Sequence, residues 1–247
     1  MTPITLLALL LLIVPTPTEA GERLAVGIGA SVPPYVDARN DTGIELEIIS
    51  HSLAIHGYEI EPIYLAGTGT DNNLRLGRLD ALVTNSQITP RASDIPKLFA
   101  ANEHIQYQNY AITLARKAIK LHSVKDLAHH RVVAFYNARQ ALGEDYRAAV
   151  DQSPLYRELP LQRNQVLALV RNLADVVIAD QKIFSHFRQQ LTQEGIELPE
   201  VTFHPLFPVS PRRVLFTDAK VREQFDRGLE QLRNSGKYQQ ILNRNSP

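Results

Sequence analysis

Apolar residues recur along the chain in two patterns, one typical of strands and one typical of helices. The alternation of apolar and small residues over 23–29 predicts a buried strand. Apolar residues at helical spacing over 44–56 predict a helix, and two further apolar runs predict strands at 58–65 and 79–84. Strands that alternate with helices in this way indicate βαβ units and a largely parallel sheet.

A second series of strands and helices follows a long extended stretch. His104–Ala115 is longer than a typical strand and has no helical pattern. A further extended stretch, Val201–Thr217, leads into the amphipathic helix Ala219–Asn234. Between these stretches the pattern predicts a strand at 131–135, helices at 138–150 and 162–173, a strand at 175–179 and a helix at 181–194.

The two extended stretches bracket the middle series, so we expect the chain to cross twice between two lobes. The predicted first lobe comprises residues 21–110 and 205–247, and the second comprises residues 111–204. The predicted fold class is α/β, with mixed, mostly parallel sheets in the two lobes. We expect the crossings to act as hinges near Tyr110–Leu114 and Phe207–Arg212, and a ligand to lie in the cleft between the lobes.

The composition narrows the class of function. Of the 247 residues, 44% are hydrophobic and 21% are charged, which is ordinary for a globular protein. The 26 basic residues balance the 26 acidic ones, and this argues against a nucleic-acid partner. The chain has no cysteine, so it has neither disulfides nor a thiolate nucleophile.

The first twenty residues have the character of a secretory signal. An apolar run over Ile4–Val14 is followed by two prolines and by small residues before Ala20. The run is too short to span a bilayer comfortably. We therefore expect residues 1–20 to be a signal peptide that is cleaved near Ala20, and the mature protein to be periplasmic. The alternative is an uncleaved membrane anchor, since no basic residue precedes the run.

Several short segments, taken in order, resemble one family. They are P-P-Y at 33–35, G-I-E-L-E at 43–47, L-G-R-L-D-A at 76–81, I-T-P-R-A at 88–92, V-K-D-L at 124–127, N-L-A-D-V-V-I-A-D at 172–180, F-P-V-S at 207–210 and S-G-K-Y-Q-Q-I-L at 235–242. They are similar to segments of type 2 periplasmic solute-binding proteins, and the chain resembles a divergent member of their amino-acid-binding branch, family 3. The resemblance implies a two-lobed periplasmic-binding-protein-like fold with two hinge crossings. It also implies capture of a small polar solute, an amino acid or related zwitterion, for an inner-membrane ABC permease or a signalling receptor.

A zwitterionic ligand needs a donor for its carboxylate and an acceptor for its ammonium group. The resemblance assigns the carboxylate to Arg91, because a guanidinium offers a planar pair of donors. The family usually has one more residue before this arginine, so the alternative is a solvated surface arginine. Asp180 is assigned to the ammonium group, because the carboxyl ends of parallel strands face the binding crevice. Asp180 can also cap the helix that begins at Gln181.

Further polar residues are candidates for the same site. Tyr35 follows two prolines and offers either an aromatic wall to the ligand or ordinary packing at the lobe edge. Asn137 opens a helix whose N–H groups could bind an anion, and the alternative is that it only caps this helix. Asn85, Ser86 and Thr89 follow a predicted strand and can donate or accept hydrogen bonds in the cleft.

No metal and no cofactor are expected. His129 and His130 are adjacent, and His51 and His56 are five residues apart, so neither pair shares a helical face at the spacing of metal ligands.

We expect a monomeric binding protein without catalysis of its own. The first alternative is a dehydratase-like enzyme on the same fold, with Glu45 or His104 as a general acid near Asp180. The second is a sensor partner that signals through protein contacts alone. The sequence leaves open the identity of the ligand, the membrane partner and the choice between transport and sensing.

Overall fold

The computed structural model describes residues 21–29, 32–65, 73, 76–85 and 97–244, with the backbone alone at Asn85. The strands are β1 (Glu22–Gly29), β2 (Tyr58–Leu65), β3 (Ala81–Asn85), β4 (Phe99–Ala100), β5 (Ile105–Leu114), β6 (Arg131–Phe135), β7 (Leu155–Leu159), β8 (Val176–Asp180), β9 (Val201–His204) and β10 (Val209–Phe216). The helices are α1 (Ile44–Ala54), α2 (Ala138–Ala141), α3 (Glu144–Val150), α4 (Gln162–Val170), α5 (Gln181–Gln193), α6 (Ala219–Asn234) and α7 (Lys237–Arg244). The predicted signal peptide lies outside the described residues. None of the helices in the described ranges is long and apolar enough to cross a membrane.

The sheet consists of two halves with the same strand order. Its path runs β2-β1-β3-β10-β5-β8-β6-β7. In the first half β1 pairs in parallel with β2 and β3, and β10 is antiparallel to β3. In the second half β6 pairs in parallel with β7 and β8, and β5 is antiparallel to β8. Each half is therefore an α/β lobe, and the predicted two-lobed fold with mostly parallel sheets is confirmed.

The two long strands β5 and β10 connect the halves. Residues 105–108 of β5 pair with residues 209–212 of β10, whereas residues 109–114 pair with β8 and β9. The change of partner in β5 thus falls between Gln108 and Asn109, just before the segment that the sequence predicted as a hinge. The exact lobe boundaries and the hinge motion stay predictions.

Each half has its own apolar core. In the first half, α1 and α6 cover β1, β3 and β10, and the buried side chains include Val26, Ile48, Phe216 and Phe225. In the second half, both faces of the sheet are covered, since Val132 and Ile178 belong to one core cluster and Val133 and Val177 to another. A strand that is covered on both faces is apolar at consecutive positions, and residues 176–179 show this pattern.

Two elements of the second half differ from the sequence prediction. The helix predicted over 138–150 is two short helices, because Gly143 adopts a left-handed φ of 88° between them. Strand β7 was not predicted. It lies at the end of the sheet path, and none of its residues is fully buried, so it lacks the continuous apolar run that reveals the inner strands.

Helices α1 and α6 approach each other closely at a glycine. A Cβ on Gly228 of α6 would lie 2.0 Å from the carbonyl oxygen of Ser52 in α1. Ser52 is itself fully buried, and its hydroxyl donates to the Ile48 carbonyl. Only a residue without a side chain fits at this crossing.

We therefore expect Gly228→Ala to destabilise the fold by roughly 1–3 kcal/mol, because the added methyl group meets backbone atoms. An ordinary Gly→Ala change inside a helix has the opposite sign and gains up to about 1 kcal/mol. Glu230→Ala, at an exposed position of the same helix, is the control and should change stability by no more than about 0.5 kcal/mol. Urea unfolding of the three proteins measures both effects, and equal or higher stability of the alanine variant at 228 would contradict the close contact.

Candidate functional site

A hollow of about 230 Å³ lies where the two halves meet. It is smaller than the roughly 300–1,000 Å³ of pockets for drug-sized ligands, so it suits a small solute. A second hollow of about 670 Å³ adjoins it and shares Val32, Phe135 and Gln162 with it. The first hollow is lined by Val32, Tyr107, Asn109, Phe135, Ala141, Leu142, Gln162, Asp180, Ile183, Phe207, Pro208, Val209, Ser210 and Arg212.

Asp180 lies at the carboxyl end of β8, where that strand meets α5 and the crossing strand β5. Its side chain is 3% exposed and lines the hollow. One carboxylate oxygen accepts from the amides of Lys182 and Ile183, at 2.8 and 3.1 Å. The other accepts from the Gln108 amide at 2.7 Å and from the Tyr35 hydroxyl at 3.2 Å. Asp180 is therefore the cap of α5, and it also forms part of the wall of the hollow. Its contact with a ligand ammonium group stays a prediction.

The burial of Asp180 has an electrostatic consequence. Removal from water raises the pKa of this carboxyl group above its ordinary value, although the amide and hydroxyl donors pull it down. Four hydrogen bonds thus leave part of the desolvation cost of the charge uncompensated. A cation in the hollow would compensate it.

Tyr35 lies behind the wall of the hollow. It is 2% exposed, and its ring stacks on Tyr107 with 3.8 Å between the ring centroids. Among the described residues it is Tyr107, not Tyr35, that lines the hollow. Tyr35 packs in the core of the first half and donates to Asp180 of the second half, so it links the halves in place of the predicted aromatic wall.

A cluster of charged and polar side chains surrounds Tyr107. Glu45 of α1 is fully buried. Its carboxylate accepts from His104 Nε2 at 2.9 Å, from the Tyr107 hydroxyl at 2.7 Å and from Arg212 Nε at 3.1 Å. The guanidinium of Arg212 also lies over the Tyr107 ring, 5.0 Å from its centroid. These groups hold one another in fixed positions next to the hollow.

The neighbours of Glu45 keep it ionised. Burial alone would raise the pKa of this carboxyl group, but the charge of Arg212 and the bonds from His104 and Tyr107 outweigh it and lower the pKa from 4.5 to about 2. The ionised form therefore stabilises the fold above about pH 4.5, and this stabilisation is lost as the pH falls toward 2.

Arg212 and Tyr107 are site residues that the sequence did not single out. Arg212 stands beside Arg213 in β10, and β10 lies between β3 and β5 in the sheet. A charged residue within such a central strand needs a buried partner or a function. That signal was present in the sequence, but the partner, Glu45, is far away along the chain.

Asn137 lies apart from the hollow. Its φ is 65°, and its side chain makes no capping hydrogen bond to α2. The amides of Asn137 and Arg139, for which the sequence left anion binding open beside a purely capping role of Asn137, donate to the carboxylate of Glu158 at 2.9 and 2.8 Å. Asn137 lines another hollow, of about 540 Å³, together with Arg139 and Glu158.

Of the remaining predicted residues, Asn85 is within the described ranges, at the end of β3. The backbone of Asn85 pairs with that of Arg212, a residue that lines the hollow. Ser86, Thr89 and Arg91 lie outside the described residues. In the described part of the chain no three acidic or histidine side chains are arranged to hold a metal ion.

Comparison with solved structures shows the fold. An amino acid ABC transporter substrate-binding protein, AbpA from Streptococcus pneumoniae bound to L-arginine, matches at 17% identity and a TM-score of 0.65, over 91% of this chain and 94% of that one. A histidine kinase sensor domain with similarity to periplasmic binding proteins matches at 17% and 0.69, over 92% and 99%. The ancestral amino-acid-binding protein AncCDT-1, a precursor of cyclohexadienyl dehydratase, matches at 16% and 0.67, over 91% and 95%. No family model and no curated protein matches the sequence. The predicted resemblance is thus confirmed in the fold, which is that of the two-lobed amino-acid-binding proteins.

The buried cluster makes a prediction about stability. Glu45→Gln should cost roughly 3–5 kcal/mol, because it leaves the Arg212 charge buried without its counter-charge. Glu47→Gln is the matched control on the same helix. Glu47 pairs with Arg244, whose side chain is 55% exposed, so that change should cost at most about 1 kcal/mol. Denaturant unfolding at neutral pH measures both, and equal effects of the two substitutions would show that the buried pair is not a major support of the fold.

Proposed function

We propose that this chain is a secreted solute-binding protein whose lobes close on a small polar ligand that carries an ammonium group. The observation that carries the proposal is the position of Asp180, a buried carboxylate beside a hollow that both halves of the sheet line. A bound ammonium group would supply the positive counter-charge that this buried carboxylate lacks. The adjoining larger hollow gives room for the rest of the ligand.

The hydrogen bonds of Asp180 suggest how the ammonium group would enter. The bond from the Tyr35 hydroxyl is the longest of the four that Asp180 accepts. An incoming ammonium group would compete most easily with this donor, because the other three are backbone amides fixed by β5 and α5. Ligand binding would then change the link between the halves, which is the change that a membrane partner can detect.

The other predicted residues complete the proposed ligand set. Arg91 would donate to a ligand carboxylate, and the partner that reads the closed form would be an inner-membrane ABC permease or a signalling receptor. The solved relatives include both a transporter component and a kinase sensor domain, which supports a partner of either class. Asn85, Ser86 and Thr89 are the further residues proposed to contact the ligand, whereas Tyr35 would act through its hydrogen bond to Asp180 and Asn137 lies outside the proposed ligand set.

The dehydratase alternative receives less support from the site. Its general acid was assigned to Glu45 or His104. Both side chains are fully buried, and His104 donates to Glu45. A general acid has to lie within hydrogen-bond reach of the proton that it transfers, and neither residue lines the hollow.

Binding of an ammonium ligand should depend on Asp180. In a calorimetric panel of amino acids, polyamines and small carboxylates, we expect at least one amine-containing ligand to bind. At 100 times its dissociation constant it should stabilise the fold by about 2.7 kcal/mol. Asp180→Asn should weaken this ligand roughly 30-fold or more, because the charge partner is lost.

The matched control for this substitution is Asp151→Asn. Asp151 forms an exposed ion pair with Arg139, so its loss should leave the affinity unchanged. A panel with no binding heat and no thermal shift, or a ligand that binds both asparagine variants equally well, would overturn the proposed function.

Affinity should also depend on pH in a defined direction. Only ionised Asp180 attracts a cation, and burial raises the pKa of this group. The affinity for an ammonium ligand should therefore fall on acidification, beginning at a higher pH than an exposed aspartate would give. Calorimetric titrations over a pH series test this, with Asp180→Asn as the control that should remove the dependence. An affinity that stays constant until the protein unfolds would contradict it.

A further inference from the structure

Arg212 has the features of a second anchor for the ligand. It lies on β10 in the first half, whereas Asp180 lies on β8 in the second, and both line the same hollow of about 230 Å³. The hollow is thus bordered by one positive and one negative side chain from facing halves. On the basis of the proposed function, we infer that Arg212 binds the carboxylate of the ligand, so that the site selects amino acids over simple amines.

The guanidinium of Arg212 is held through its Nε and through one face of its plane. Its Nε donates to Glu45 at 3.1 Å, and its plane is supported by the Tyr107 ring. Among the described residues, neither of its two terminal nitrogens has a hydrogen-bond partner. A guanidinium carries five N–H donors, and it can bind one carboxylate through Nε while it presents the terminal donors to another.

The position of Arg212 is fixed before any ligand arrives. Tyr107, below the guanidinium, is itself fixed by its bond to Glu45 and by its stacking on Tyr35. A donor that is already held in place loses little conformational entropy when it binds a ligand. Arg212 is therefore preorganised to bind a carboxylate in the same hollow.

The two charges that line the hollow favour a zwitterion. Arg212, the partner of the buried Glu45, is positive, and Asp180, when ionised, is negative. A ligand with a carboxylate at Arg212 and an ammonium group at Asp180 would pair each of its charges with an opposite one. An amine without a carboxylate would bring a second positive charge into the hollow that Arg212 lines. A ligand with carboxylates only would bring a second negative charge to Asp180.

A comparison of three ligands that share the same side chain tests this assignment. The three ligands are the amino acid that binds best in the panel, its carboxamide and the amine that its decarboxylation gives. All three keep the ammonium group, so Asp180→Asn should weaken all three. The wild type should prefer the amino acid to the carboxamide and the amine by roughly 30-fold or more, because only the amino acid brings an anionic group to the terminal donors of Arg212.

Arg212→Gln should reduce this preference to near one, whereas the control Arg213→Gln should leave it unchanged. Arg213 is the next residue in β10, and its guanidinium donates to the Ala101 carbonyl. Circular dichroism and thermal unfolding check the fold of each variant. Glu45→Gln/Arg212→Gln removes both buried charges together, and Arg212→Lys retains the charge without the planar fork. One of these carries the test if the single glutamine variant does not fold, and each should lower the preference.

The possible results separate the two proposals. If none of the three ligands binds the wild type, the proposed function fails. If the ligands bind in a manner that depends on Asp180, but the folded Arg212 variants keep the full preference for the amino acid, only the role of Arg212 is overturned. A preference that is lost in Arg91→Gln and kept in the Arg212 variants would assign the carboxylate to Arg91 alone.

Discussion

A carboxylate that is fully removed from water has to be neutralised inside the protein, and Glu45 is such a carboxylate. Its partners come from the two strands that cross between the halves and from the residue before one of them. Arg212 comes from β10, Tyr107 from β5 and His104 from the residue just before β5. The ion pair therefore ties α1 to both strands that cross between the halves. It fixes Arg212 and Tyr107, and through the stacked Tyr35 it extends to Asp180. One buried charge in the first half is thereby connected to the cap of a helix in the second.

The two halves also share a device that fixes their parallel strands. Asp80 precedes β3 and accepts from the Ala25 amide of β1 at 2.8 Å. Asp175 precedes β8 and accepts from the Arg131 amide of β6 at 3.1 Å. In each half, then, an aspartate just before the third strand binds the neighbouring central strand. The same strand order and the same aspartate in both halves indicate one structural plan used twice, with the hollow of about 230 Å³ where the two copies meet.

The sequence predicted the elements whose apolar residues recur at regular spacing, but it did not predict contacts between residues that are far apart along the chain. The strand β1 and the helices α1 and α6 follow from the spacing of their apolar residues, which the structure buries in the core of the first half. The end of β8 also pointed to Asp180, since a parallel strand carries its terminal residue to the crevice. The break at Gly143 and the edge strand β7 depend on backbone conformation and partial burial, which periodicity does not register. The link between Glu45 and Arg212 joins residues that are 167 positions apart, and no local pattern reports such a pair.

The helix start at Asn137 has a consequence for the kinds of anion that the second half can hold. Its amides already bind Glu158, a carboxylate that belongs to the same chain and lies on the neighbouring strand β7. An intramolecular competitor of this kind is present at a high effective concentration, which reaches the millimolar range even for groups on flexible tethers. A free anion in solution would have to displace it at every encounter. This helix start is thus occupied by the protein itself.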